Sequence, residues 1–189
     1  MADETAGRFR AGETALVAVV EEAEPVAGPW RRRFDSFASV GVPAHVTVLV
    51  PFLDIERIDS GVMDDLRALV GEHDPFTVRF EGCRRFPGVL YLAPTPDQPF
   101  RALTEAVVTR WPEAPPYGGQ FADVVPHLTV AHGQEGHVLD EVEAALATRL
   151  PVTADVGSVS LFVCDGDRWH RHADFSLLGL PAARPGSSS

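Results

Sequence analysis

The chain has 189 residues, a length that fits one domain or two small lobes sharing a core. With 45% apolar and 23% charged residues, it cannot be a collagen-like, coiled-coil or wholly disordered protein. The formal net charge is −11, which opposes sequence-independent binding of long nucleic acids because that affinity comes from basic side chains on phosphates.

The predicted strands and helices follow one another in the same order twice along the chain, as a strand, a helix and a β-hairpin. Apolar β-branched runs between turn residues predict strands, and apolar residues at helical spacing predict helices. The predicted strands cover residues 14–20, 45–50, 76–83, 89–93, 124–130, 152–163 and 172–180. The predicted helices cover residues 30–38, 55–70, 99–111 and 138–150. The repeated order predicts an α+β fold of two similar, intertwined lobes related by an approximate two-fold axis.

The ends of the chain and its cysteines add smaller expectations. Short polar residues predict flexible ends over 1–13 and 181–189, around one bilobal domain at 14–180. The chain lacks a secretory signal, and no apolar run reaches the roughly 18 residues of a membrane span, so we expect a cytoplasmic protein with no membrane partner.

Cys83 and Cys164 lack disulfide or zinc spacing, and we interpret both as buried thiols.

Two tetrapeptides of the form His-x-Thr-Val begin at His45 and His127. Residues two apart on a strand share a face, so His45 should lie beside Thr47, and His127 beside Thr129. If the lobes pack about a two-fold axis, the four side chains converge on one groove. A single His-x-Thr would more often be structural, but its duplication favours a shared catalytic site.

This set of side chains suits phosphoryl transfer without a metal. A neutral imidazole can accept a proton from the attacking hydroxyl or water, and an imidazolium opposite it can protonate the departing oxygen, since the unperturbed pKa of histidine is about 6.5. The threonine hydroxyls can donate to the nonbridging phosphate oxygens. Which histidine is the acid and which is the base stays open.

The two motifs resemble those of the two-histidine (2H) phosphoesterases, particularly their bacterial 2′-5′ RNA ligase-like branch. The segments that carry the likeness are PAHVTVLVPF at 43–52 and PHLTVA at 126–131. The resemblance implies two antiparallel sheets that line a central cleft, with helices outside, and action on 2′-linked or 2′,3′-cyclic phosphodiesters of RNA ends or small nucleotides. It identifies His45, Thr47, His127 and Thr129 as the catalytic set.

The scarcity of basic residues disfavours a tRNA-sized substrate, so we expect a small cyclic phosphodiester. We also expect a monomeric enzyme without a cofactor. The alternatives are 2′-5′ RNA ligation at the same site and a noncatalytic nucleotide sensor. A metal site at His170 and His172, two residues apart on a strand, is disfavoured because no companion ligand is evident. Trp169 beside them packs on the hairpin or borders the cleft.

Candidate substrate-binding residues are less specific. Phe52 and Tyr91 would stack a nucleobase, or belong to the core. An anionic substrate needs a local basic patch, and the cluster 31–33 or the pair Arg84 and Arg85 would hold phosphate, or form a solvated helix face or hairpin tip. His132 lies five residues after His127 and, on a regular strand, faces away from the groove.

Overall fold

The computed structural model describes residues 9–120 and 123–181. Within these residues, eight strands form two four-stranded antiparallel sheets. The strands are β1 (Thr14–Val19), β2 (His45–Leu49), β3 (Phe76–Phe86), β4 (Val89–Thr95), β5 (Leu128–His132), β6 (Val152–Val156), β7 (Ser158–Cys164) and β8 (Trp169–Ser176). The first sheet has the order β2-β1-β7-β8 and the second has the order β5-β4-β3-β6. The two strands that carry His-x-Thr are therefore edge strands, and they contact each other where the sheets meet.

Five α-helices accompany the sheets within the described residues. They are α1 (Glu24–Phe34), α2 (Ser36–Ser39), α3 (Ser60–Gly71), α4 (Gln98–Arg110) and α5 (Gly136–Ala147). Short 3₁₀ turns lie at Glu21–Ala23, Ile55–Arg57 and Pro116–Gly119. The predicted α+β class with two antiparallel sheets is confirmed. None of the helices in the described ranges combines the length and apolar character needed to cross a membrane.

The first helix differs from the predicted helix 30–38. It begins at Glu24, because Pro25 occupies the first turn, where no backbone N–H needs a helical partner. It ends before Asp35, whose backbone is extended and whose side chain accepts a hydrogen bond from the Phe37 amide at 3.1 Å. That cap starts α2, so the predicted single helix is two helices separated by an acidic residue.

Two strand predictions also need correction. The predicted strand 124–130 begins only at Leu128, so His127 precedes β5 directly, whereas His45 opens β2. The predicted strand 152–163 is two strands separated by Gly157, with β6 paired to β3 and β7 paired to β1. The chain passes from one sheet to the other at this glycine.

Strand β2 contains a β-bulge directly after its threonine. The neighbouring residues Leu16 and Val17 of β1 lie opposite Leu49 and Thr47, so Val48 is an extra residue in β2. The alternation of side chains between the two faces of the sheet is therefore interrupted after Thr47.

Strand β5 contains the same irregularity at the equivalent position. Leu90 and Tyr91 of β4 lie opposite Ala131 and Thr129, so Val130 is the extra residue. The two lobes thus repeat the His-x-Thr sequence and also the backbone distortion that follows it.

The main apolar core packs the sheets against α1, α3, α4 and α5. A smaller cluster lies on the other face of the first sheet and includes Val17, Phe162 and Trp169. Cys164 is buried in this cluster, as predicted, whereas Cys83 is only half-buried.

Candidate active site

The structure brings the four His-x-Thr side chains to the wall of one cavity of about 690 Å³. His45 and Thr47 come from the edge of the first sheet. Thr129 comes from the edge of the second sheet, with His127 just before the strand. The cavity thus lies between the lobes and receives the same two residue types from each.

Each histidine ring is held by a backbone carbonyl two residues earlier in the chain. Nδ1 of His45 lies 2.7 Å from the Pro43 oxygen, and Nδ1 of His127 lies 2.7 Å from the Val125 oxygen. A carbonyl oxygen only accepts, so Nδ1 carries the proton in both rings. This leaves Nε2 as the basic nitrogen of each neutral imidazole.

The surroundings of His45 favour its neutral form. Burial against the cavity wall, followed by the positive charge of Arg31, lowers the pKa of His45 from 6.5 to about 3. The hydrogen bond to the Pro43 carbonyl and a charged His127 act on this pKa more weakly. His45 is therefore a neutral base across the physiological pH range.

Neighbouring charge shifts the pKa of His127 upward, in the opposite direction from that of His45. Burial lowers its pKa, while the Val125 carbonyl and the carboxylate of Asp35 both raise it. Arg31 acts on the pKa of His45 and Asp35 on that of His127, although the two side chains form a single buried ion pair at 2.8 Å. One ion pair thus makes the two imidazoles electrostatically different.

Arg31 connects α1 to β5 and to the segment that precedes β2. Its side chain is 1% exposed, and it donates to the carbonyl oxygens of Thr129 at 3.0 Å and Val42 at 3.4 Å as well as to Asp35. The cluster 31–33 was expected to bind phosphate or to form a solvated surface, and Arg31 does neither. The sequence contained no signal that one of three adjacent arginines is buried.

Tyr117 lines the cavity and was not singled out from the sequence. Its backbone is left-handed, with φ +50° and ψ +34°, and its amide donates to the Val50 oxygen at 2.7 Å. Its hydroxyl is hydrogen-bonded to Thr47, and burial raises the pKa of the phenol. The run of two prolines, Tyr117 and two glycines was the available sequence signal for an unusual turn at this position.

Aromatic rings lie against both histidines. Phe37 of α2 meets His45 edge-on at 6.4 Å between ring centroids, and Phe86 of β3 meets His127 edge-on at 5.3 Å. Trp169 also lines the cavity on the side of the first sheet, in agreement with one of its two predicted positions. The cavity is therefore largely apolar around its polar centre.

The structure does not place Phe52 in the cavity wall. Phe52 is 6% exposed and packs edge-on against Trp111 at 5.2 Å, so it belongs to the core. Tyr91 is 5% exposed, stacks on Phe86 at 4.3 Å and contacts His127 at 5.5 Å. Tyr91 lies behind the histidine, and neither ring is in position to stack a base.

Arg85 likewise lies outside the cavity wall. Its guanidinium bonds to Asp140 at 2.8 Å and to Glu143, both on α5. These contacts direct Arg85 to the outer surface, where it joins the helix to the second sheet.

His132 lines the cavity, contrary to the expectation that it faces away. The reason is the bulge at Val130, which shifts alternation by one residue and returns His132 to the face of Thr129. The equivalent bulge in β2 places Val50 in the cavity wall.

The pair His170 and His172 shows no metal-binding arrangement. Both are exposed, and His170 is bonded to Asp165 at 2.7 Å. Across residues 9–120 and 123–181, no group of three or more His, Cys, Asp or Glu side chains is placed to hold a metal ion.

Two antiparallel sheets that each bring a His-x-Thr segment to one cavity agree with the fold that the resemblance to the two-histidine phosphoesterases implies. The family model of the 2′-5′ RNA ligase superfamily matches residues 17–168, and the chain belongs to this superfamily.

Individual relatives are more distant. The chain is 30% identical over 114 residues to a Bacillus licheniformis protein named as a presumed phosphoesterase. The match covers 59% of this chain and 64% of the relative, so the chain spans less than two thirds of the length of that relative. Escherichia coli LigT in complex with 3′-AMP is similar in fold, with a TM-score of 0.58, 15% identity, and coverage of 89% of this chain and 99% of LigT. Thermus thermophilus TT0787 has a TM-score of 0.56 at 19% identity and covers 88% of this chain and 98% of its own.

Proposed function

We propose that the protein is a metal-independent phosphodiesterase that acts on 2′-linked or 2′,3′-cyclic phosphodiesters of RNA ends or small nucleotides. The observation that carries this proposal is the pair of histidines on one cavity wall, whose pKa values are shifted in opposite directions by charge: Arg31 lowers that of His45 and Asp35 raises that of His127. Acid–base catalysis needs one neutral and one protonated group, and this ion pair favours that division.

In the proposed mechanism, His45 is the general base. Its Nε2 accepts a proton from the attacking water as the water oxygen bonds to phosphorus. The bond from phosphorus to the 2′ or 3′ oxygen breaks, and His127 donates its proton to that oxygen. The product is a phosphomonoester with a free hydroxyl, and exchange of one proton with solvent restores both rings.

The two threonines would stabilise the charge that develops on the phosphoryl group. Thr47 and Thr129 lie beside the histidines on the same cavity wall. Their hydroxyls would donate to the two nonbridging oxygens, which carry more negative charge in the transition state than in the bound substrate.

Small nucleotides are the substrate class that the cavity fits best. Its volume of about 690 Å³ lies in the range of small-molecule sites. Structures of LigT with 3′-AMP and with ATP show that a relative of this fold is complexed with small nucleotides. Ligation of RNA ends at the same site and nucleotide sensing without turnover are the competing functions.

Hydrolysis of a 2′,3′-cyclic nucleotide in excess chelator tests the proposal directly. We expect turnover at an undiminished rate, because side chains supply every proton transfer. Binding without turnover across cyclic and 2′-5′-linked substrates would favour the sensor, and loss of activity with chelator would contradict the metal-independent mechanism. Accumulation of a 2′-5′-linked product from a cyclic phosphate end and a 5′-hydroxyl end would favour the ligase.

A further inference from the structure

The cavity wall contains no arginine or lysine side chain among the residues that the structure describes. The sequence has no lysine at all, so its 16 basic residues are all arginine. A local basic patch was expected to attract an anionic substrate, and this part of the wall does not provide one. The only side chains in it that can become cations are His45, His127 and His132.

Two arginines that contact residues of the cavity wall are already paired with carboxylates. Arg31 lies behind the wall and is bound to Asp35. Arg101 is bound to Asp97 at 2.8 Å and to Asp123 at 3.1 Å. Asp35 and Asp123 themselves line the cavity. In both ion pairs the carboxylate is therefore part of the wall, and the arginine is not.

Much of the remaining wall is apolar. The residues concerned are Ala15, Val17, Phe37, Val42, Phe162 and Trp169. A phosphate group that enters such a surface loses hydration and gains no cation in return, which costs several kcal/mol when it is fully buried. The net charge of −11 adds a long-range repulsion of polyanions.

We propose that this site selects substrates with one negative charge, a single phosphodiester attached to an apolar or aromatic group, over substrates with additional phosphates. The single charge of a phosphodiester is matched by the single imidazolium that the acid–base pair requires. This inference rests on the proposed phosphodiesterase function and specifies its substrate class.

Adenosine 2′,3′-cyclic phosphate and its 5′-phosphorylated form test this selectivity. We expect kcat/KM for the 5′-phosphorylated substrate to be about tenfold lower at low salt and to rise with added NaCl, since salt screens repulsion. An equal or higher kcat/KM, or one that falls with salt, would overturn the inference. If neither compound is hydrolysed, the proposed function fails instead.

A pair of variants at one lining position sharpens this test. Val89→Arg adds a cation to the wall and should reduce the discrimination about tenfold, whereas the matched control Val89→Gln should leave it unchanged. Equal discrimination in both variants would show that the missing cation does not set the selectivity.

A separate observation concerns the turn at Pro116–Gly119. Tyr117 is the one residue other than glycine with a positive φ in the described ranges, a conformation that costs an ordinary residue about 1 kcal/mol. Glycine would adopt it without cost, as Gly118 and Gly119 do beside it. A side chain at this strained position that reaches the hydroxyl of Thr47 points to a role in the site.

We infer that Tyr117 is a positioning residue for Thr47. In this role the Tyr117 hydroxyl would donate to Thr47 Oγ1, so that the Thr47 hydroxyl would donate its own proton to a nonbridging phosphate oxygen. Hydrogen bonds in such a chain polarise one another, so the contact should strengthen as negative charge grows on the phosphoryl group. This role also rests on the proposed function.

The test is Tyr117→Phe, alone and combined with Thr47→Val. We expect the single variant to lower kcat about fivefold with little change in KM, the scale of one hydrogen bond, and to unfold at the wild-type temperature. It should have no further effect in the Thr47→Val background and its full effect in the Thr129→Val background. Additive losses with Thr47→Val would overturn the inference, and an inactive wild type would count against the proposed function instead.

Discussion

The two His-x-Thr edges of the molecule share a backbone and differ in charge. Each places a histidine whose Nδ1 is held by the carbonyl two residues earlier, and each has a bulge directly after its threonine. Yet the positive charge of Arg31 lowers the pKa of His45, whereas the negative charge of Asp35 raises that of His127. Duplication of a motif thus places two equivalent imidazoles at one cavity, and one unduplicated ion pair makes their electrostatic surroundings different.

Removing that ion pair should cause the largest loss of stability. Arg31→Met leaves Asp35 charged and unpaired in a buried position, which costs about 3–5 kcal/mol of unfolding free energy. Urea denaturation measures this change. Arg32→Met on the same helix removes an exposed pair with Glu24 and should change stability by about 0.5 kcal/mol or less. Equal effects of the two substitutions would show that the buried pair is unimportant.

Removing either imidazole should abolish most of the activity. His45→Ala and His127→Ala should each lower kcat for a cyclic nucleotide by about 10²-fold or more, with an unchanged circular dichroism spectrum. The matched control is His170→Ala, whose ring is exposed and bonded to Asp165. Near-normal activity of either cavity variant would remove the acid–base pair from the mechanism.

The pH dependence of kcat/KM should identify the two roles. Activity requires neutral His45, with a pKa of about 3, and protonated His127, with a pKa lowered from 6.5. The profile should therefore be bell-shaped with its maximum between about pH 3 and 6.5 and fall about tenfold per pH unit on the alkaline side. Rates measured from pH 4.5 to 9, with folding checked at each pH, test this. A flat profile from pH 5 to 9 would contradict paired proton transfer.

A substitution at the fifth position after the histidine, occupied by Val50 in one lobe and His132 in the other, should have the smallest effect on activity. His132→Val makes this position identical to Val50 of the other strand, and we expect kcat/KM to change by about fivefold or less, since His132 has no proton to transfer in the proposed mechanism. Steady-state kinetics on a cyclic nucleotide measures it. A loss near that of His127→Ala would mean that the lobes differ by a third catalytic imidazole.

The sequence predicted most of the fold because its signals are local and repeated. Apolar β-branched runs and helical periodicity located the elements, and two His-x-Thr segments in a matching order indicated a shared site. The family match and the two antiparallel sheets confirm that interpretation of the fold. The roles of the four His and Thr residues stay predictions until they are tested by substitution.

What the sequence did not predict depends on pairing between distant segments. The bulges at Val48 and Val130 exist only relative to the strands beside them, so simple alternation placed His132 on the wrong face. Arg31 is buried because Asp35 and the carbonyls of Thr129 and Val42 surround it, which no feature of the cluster 31–33 encodes. Phe52 fits both a core and a pocket by composition, and only packing against Trp111 decides between them.

The strand order has a consequence for how the protein is made. The second sheet is built from one continuous stretch, Phe76 to Val156, and can assemble as soon as that stretch leaves the ribosome. The first sheet needs β7 and β8, which span Ser158 to Ser176 and are synthesised long after β1 and β2. A nascent chain that has already exposed both histidines therefore still lacks half of the sheet that supports one of them, and the cavity is complete only when the closing hairpin adds Phe162 and Trp169.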